Sequence, residues 1–187
     1  MRRPDGVAIL KAMTRDQLVQ RIRDTALLHG DFTLRSGRKS RYYLDKYLFE
    51  TQPDILTTLG QMLAEHVDDG ITRLAGAELG GIPLVTAASM ASGLPSVLIR
   101  NQKKTYGTGK QMEGKLDPGD RVMIVEDIVT SGGQVLEAVQ VIRGAAAEVA
   151  KIVVVIDREE GAREKIEAAG LAFHSLLTKS DLGIDDE

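Results

Sequence analysis

With 187 residues, 43% of them hydrophobic, the chain is near single-domain size and can bury an ample core. It contains no cysteine, which excludes disulfides, thiolate catalysis and cysteine zinc sites. A net charge of -3 argues against the broad basic surface that nonspecific nucleic-acid binding needs.

In chain order, the opening MRRPDGVAILKAM holds only a short apolar run, Val7 to Leu10, too brief for a signal core or a membrane span. Residues 1–13 are expected to form a flexible or lightly docked tail, in a cytoplasmic protein with no membrane partner. Thr14 to His29 reads as a helix with Leu18, Ile22 and Ala26 on one face. Phe32 to Leu34 and Tyr42 to Leu44 read as short strands flanking the basic SGRKSR turn. Pro53 to Val67 is helical, with proline near its first turn. A strand follows at Ile71 to Ala75, then a helix from Ile82 to Ala91 ended by Gly93, then a strand at Ser96 to Ile99. Arg100 to Gly114 has three glycines, several cations and almost no apolar residues, so it reads as a long mobile loop that cannot pack. After the central motif come a buried strand at Ile152 to Ile156, a helix from Glu160 to Ala169 and a last strand at Ala172 to Leu176. Strands alternating with helices predict an α/β fold with a parallel sheet and right-handed crossovers. Such a sheet gathers its ligand site at the carboxyl ends of its strands.

The central motif is RVMIVEDIVTSGGQVLEAV, Arg121 to Val139. Val122 to Val125 form a continuous apolar run, as in a strand covered on both faces. Glu126 and Asp127 follow at its carboxyl end, and after Ile128 and Val129 come Thr130, Ser131, Gly132, Gly133 and Gln134 at the start of a helix. Hydroxyls and unpaired amides at a helix start suit a phosphate dianion, and two nearby carboxylates suit a ribose diol. The order predicts a ribose 5-phosphate cradle; the plainer alternative is a capped strand-to-helix turn with two solvated acids. Neither GxxxxGK[ST] nor GxGxxG occurs, which removes the main support for an NTPase or a dinucleotide binder. Basic islands at Arg35, Arg38, Lys39, Arg41 and Lys46, and at Arg100, Lys103, Lys104 and Lys110, suggest focused anion binding or a solvated charged face. His29, His66 and His174 are isolated and lack ligand-spaced partners.

These residues resemble the signature of the type I phosphoribosyltransferases, which transfer ribose phosphate from 5-phosphoribosyl 1-diphosphate (PRPP) to a base. Four further segments are similar to the orotate phosphoribosyltransferases: FTLRSGRKSRYYLD from Phe32, GAELGGIPL from Gly76, RNQKKTYGTGKQMEG from Arg100 and IVVVIDREEG from Ile152. The resemblance implies one phosphoribosyltransferase domain over 1–187, with a small amino-terminal hood from 14–50 and a mobile catalytic loop at 100–114. It implies PRPP contacts from Arg100, Asn101, Lys103, Lys104, Tyr106 and the run Glu126 to Gln134, and orotate contacts from Arg35, Thr130 and Arg158. Asp127, Glu126, Lys104 and Arg100 take the catalytic roles. Mg²⁺ is implied, held through substrate oxygens and water with no protein ligand. A homodimer whose loop acts in trans is implied as well. The chain departs from the family where lysine often stands: Arg35 in FTLRSG, Gly80 in the diphosphate turn and Asn101 in the loop, with Tyr106 at a common histidine position. Two other readings stand beside this one. One is a phosphoribosyltransferase for a different base, and the other a noncatalytic sensor of PRPP or nucleotide.

Overall fold

The computed structural model describes residues 11–33, 37, 39–101 and 111–184. Helix α1, Arg15–Ala26, starts at a capping box in which the Thr14 hydroxyl accepts from Gln17 N and Thr14 N donates to the Gln17 side chain. It ends three residues before the expected His29, because Leu27 turns extended and opens strand β1, Leu27–Thr33. That strand pairs antiparallel with β2, Lys39–Leu44, through Leu27 opposite Leu44 and Thr33 opposite Lys39. Both strands run longer than the apolar pattern predicted, since an exposed two-stranded ribbon is held by its ladder and not by burial. The segment before α1 is docked where it is described: Met13 N donates to Thr58 Oγ1 at 3.1 Å.

A five-residue helix absent from the sequence reading, α2 (Lys46–Glu50), follows directly. Then come α3 (Pro53–Ala64), β3 (Arg73–Ala77), α4 (Gly81–Ser92), β4 (Ser96–Ile99), β5 (Met112–Glu113), β6 (Arg121–Val129), α5 (Gly133–Gly144), β7 (Glu148–Asp157), α6 (Ala162–Ala168) and β8 (Ala172–Thr178). The six-stranded sheet runs β5-β4-β3-β6-β7-β8, parallel throughout except for the edge pair β4 and β5.

Its two faces carry separate cores. Met123, Val125, Val153 and Val155 pack toward α1, α3 and α4, with Leu18, Ile22, Leu59 and Leu84 among the buried partners. Val122, Ile124, Ile152 and Val154 pack toward α5 and α6, against Val139, Ile142 and Ile166. Both faces of β6 are therefore dry, which is why its sequence is apolar without alternation.

Two expectations change here. Glu126 and Asp127 lie within β6, because the ladder to β7 continues past them to Val129 opposite Asp157. The far end of the 100–114 segment is not loop but strand, Met112 opposite Ile99 and Glu113 opposite Leu98, with Met112 packed on the core.

Candidate active site

The parallel strands β3, β4, β6 and β7 end on one side of the molecule, and the turns that follow them carry most of the polar residues singled out in the sequence. At the end of β6 the acids are buried, Glu126 to 5% and Asp127 to 2% exposure. Burial of a carboxylate must be compensated. The compensation for Asp127 comes from Ile128 N, which donates to Oδ1, and from the Lys46 ammonium, which donates to Oδ2 at 2.6 Å. Glu126 Oε1 accepts from Asp127 N at 3.2 Å, while its Oε2 has no hydrogen-bond partner among the described residues. Burial, and then the charge of Asp127, push the Glu126 carboxyl upward. For Lys46 burial opposes the charge, but the attraction and hydrogen bond of Asp127 outweigh it and the pKa rises.

Beyond the acids, the chain turns through Thr130 and Ser131 into α5. Gly132 makes the turn at a φ of 72°, in the left-handed region that favours glycine, and no side chain caps the helix. The amides at this helix start are thus left to a ligand or solvent rather than to an Asx-type cap. A cavity of about 180 Å³ opens over them, lined by Lys46, by Glu126 and Asp127 and by the run from Ile128 to Val135. The geometry gathers the whole run Glu126 to Gln134 into one concavity. Lys165 of α6 adds its ammonium 3.8 Å from where a Cβ on Gly133 would stand.

Arg158 follows β7, its backbone N donating to Val129 O at 3.0 Å. Its guanidinium reaches Tyr42 Oη of the ribbon at 3.2 Å and Glu160 Oε1 at 3.1 Å. The ribbon therefore leans on the crevice through an arginine suited to a planar carboxylate. Arg100 and Asn101 stand elsewhere, at the end of β4. Arg100 Nε donates to Glu113 Oε1 at 3.0 Å, and Asn101 N donates to Glu78 Oε1 at 2.9 Å. Neither lines the β6 cavity. Glu78 thus ties the turn after β3 to the base of the 100–114 segment and leaves α4 without a side-chain cap. Arg35, Lys103, Lys104 and Tyr106 lie outside the described residues.

Two residues of the crevice escaped the sequence reading. Lys46 was visible only as one member of a basic island. Glu50, also on α2, is 1% exposed, and neither carboxylate oxygen has a hydrogen-bond partner among the described residues. Burial first, and then the Asp127 charge, push its pKa up to about 8.

The model for the phosphoribosyl transferase domain matches residues 49–170. Orotate phosphoribosyltransferase from Methanocella arvoryzae is 46% identical over 167 residues, covering 89% of this chain and 95% of that one. The chain belongs to the orotate phosphoribosyltransferase family. Orotate phosphoribosyltransferase from Pyrococcus abyssi is 43% identical, covering 90% of this chain and 94% of the relative. Among solved structures, Mycobacterium tuberculosis orotate phosphoribosyltransferase in complex with PRPP superposes with a TM-score of 0.76 at 32% identity, covering 90% of this chain and 98% of the other. Membership spans the ribbon, the acid strand and the Arg158 turn alike.

Proposed function

We propose that the chain is an orotate phosphoribosyltransferase that moves the 5-phosphoribosyl group of PRPP to an orotate nitrogen, giving orotidine 5'-monophosphate and diphosphate in pyrimidine biosynthesis. One observation carries the reading: a buried acid pair and an uncapped hydroxyl-rich turn share a single cavity at the end of β6. The anomeric bond to diphosphate breaks as the bond to nitrogen forms, and positive charge develops on the ribose ring. Asp127 and Glu126 face that charge and the diol, and Thr130 to Gly133 hold the 5-phosphate. Arg158 pairs with the orotate carboxylate, assisted by Thr130 and by Arg35, which lies outside the described residues. Arg100, Asn101, Lys103, Lys104 and Tyr106 contact PRPP from the 100–114 segment, where the cations neutralise the leaving group.

Mg²⁺ fits the acids of this cleft: the buried Oε2 of Glu126, without a hydrogen-bond partner among the described residues, is an oxygen acceptor suited to the water shell of a hard cation. When bound through substrate oxygens, the ion would neutralise diphosphate. Assembly is read as a homodimer in which each 100–114 segment serves the neighbour's site. An apolar groove of about 520 Å³ between α3 and α4 supports that reading, with Met90 83% exposed at its edge. The 1–187 chain is read as one domain and the protein as cytoplasmic; among the described residues no helix is long and apolar enough to cross a membrane. Mixing the protein with orotate, PRPP and Mg²⁺ should yield orotidine 5'-monophosphate and diphosphate in equal amounts. Diphosphate release without the nucleotide would overturn the assignment.

A further inference from the structure

The turn after β3 that would receive the diphosphate, Glu78 to Gly80, carries no cation, and Gly80 stands at its end. The structure gives the reason. A Cβ on Gly80 would fall inside the carboxylate of Asp127, with Glu50 Oε1 only 2.9 Å away. No side chain can leave the backbone at that point while Asp127 stands where it does. Yet Asp127 is buried there beside the carboxyl groups of Glu50 and Glu126, and a buried carboxylate calls for a counter-charge.

That charge arrives from the hood. Lys46 opens α2 and places its ammonium 2.6 Å from the same Asp127 oxygen that fills the Cβ position of Gly80. Its side chain is 31% exposed and lines the cavity over the phosphate turn, so it is open to a ligand as well as bonded to the protein. Its position is fixed from both sides: the Asp45 carboxylate accepts from Tyr47 N to cap α2, and Phe49 is fully buried in the core.

We propose that Lys46 is a diphosphate-binding residue, supplying from the hood helix the cation that the turn at Gly80 cannot carry. In the substrate-free protein it neutralises Asp127; when PRPP enters, the ammonium divides its donors between Asp127, which stays in place, and a diphosphate oxygen. An ammonium has three donors and can serve both acceptors. The inference rests on the reading of this crevice as a PRPP site.

The test uses Lys46→Gln and Lys46→Arg in the full chain. Glutamine keeps a hydrogen-bond donor for Asp127 and removes the charge, whereas arginine keeps both. Binding of inorganic diphosphate and of ribose 5-phosphate is measured calorimetrically at one fixed Mg²⁺ concentration. Lys46→Gln should weaken diphosphate by roughly 10- to 100-fold, the loss of one hydrogen bond to a charged group. It should weaken ribose 5-phosphate by a clearly smaller factor, since that ligand lacks the diphosphate that the ammonium holds. Lys46→Arg should recover most of the diphosphate affinity. In turnover, the KM for PRPP should rise in Lys46→Gln while the KM for orotate stays near the parent value. If folded Lys46→Gln binds diphosphate like the parent, or loses both ligands equally, Lys46 only positions Asp127 and the proposal fails. Should glutamine prevent folding, a Lys46→Arg protein that folds but does not hold diphosphate would contradict it instead. A parent protein that binds diphosphate through Lys46 but leaves orotate untouched would remove the base assignment and leave this one standing.

Discussion

Asp127 is held by Lys46 and by its own strand end, so its carboxylate is fixed before any substrate arrives, which is what stabilisation of a developing cation requires. Asp127→Asn keeps shape and removes charge; kcat for orotate should fall by about 10²- to 10³-fold with the fold intact by circular dichroism. Glu126→Gln should behave similarly. Parent-like turnover in both variants would return the pair to a structural role. Arg158 makes a separate prediction, because of the two substrates only orotate offers it a carboxylate. Arg158→Ala should raise the KM for orotate far more than that for PRPP, and equal rises would remove Arg158 from the base site. The acids, the turn and Arg158 were legible because their chemistry is unusual at a strand end. Lys46 and Glu50 were not: Lys46 meets Asp127 across 81 positions in sequence, and such a contact leaves no local trace.

Helix α2 ties the ribbon to the sheet, and it also carries the group that makes this docking sensitive to pH. Glu50 has a folded pKa of about 8 against an ordinary 4.5, so the folded protein holds its proton more tightly than the unfolded chain does. Its contribution is complete below the unfolded value and is lost as pH rises through about 8. Glu126 is shifted the same way. Glu50→Gln mimics the protonated acid. It should match the parent near pH 5 and exceed it by about 2 kcal/mol or more at pH 9, as read by denaturant unfolding. A parent stability that is flat from pH 5 to 9, or unchanged in its slope by Glu50→Gln, would contradict this account. At this scale the sequence showed the long elements and missed the short ones. Helix α2 has five residues and β5 has two, too few to display a period, and β5 is specified by the free edge of β4 rather than by its own composition. The apolar run stopped at Val125, although β6 continues to Val129, because Glu126 and Asp127 interrupt it at the cleft before Ile128 and Val129 return to the core.

The whole molecule is a sheet with two dry faces and a polar end, and α3 and α4 leave an apolar groove between them. If each 100–114 segment acts on its neighbour, Lys104→Ala and Asp127→Asn homodimers are each nearly inactive but complement one another. Random 1:1 reassortment makes about half the dimers mixed, each with one sound site of two, so about a quarter of parent activity should return. No recovery in verified mixed dimers would assign Lys104 to its own subunit. The parallel sheet and its carboxyl-end crevice were legible from the alternation of elements, whereas the α3–α4 groove was not, since an exposed Met90 reads in sequence like any helical apolar residue. The most direct measurement for the central claim is kcat/KM for orotate, uracil and hypoxanthine, each with PRPP and Mg²⁺ at the same concentrations. Transfer to orotate should dominate by several orders of magnitude, because only orotate brings a carboxylate to Arg158; equal or greater transfer to uracil or hypoxanthine would contradict it.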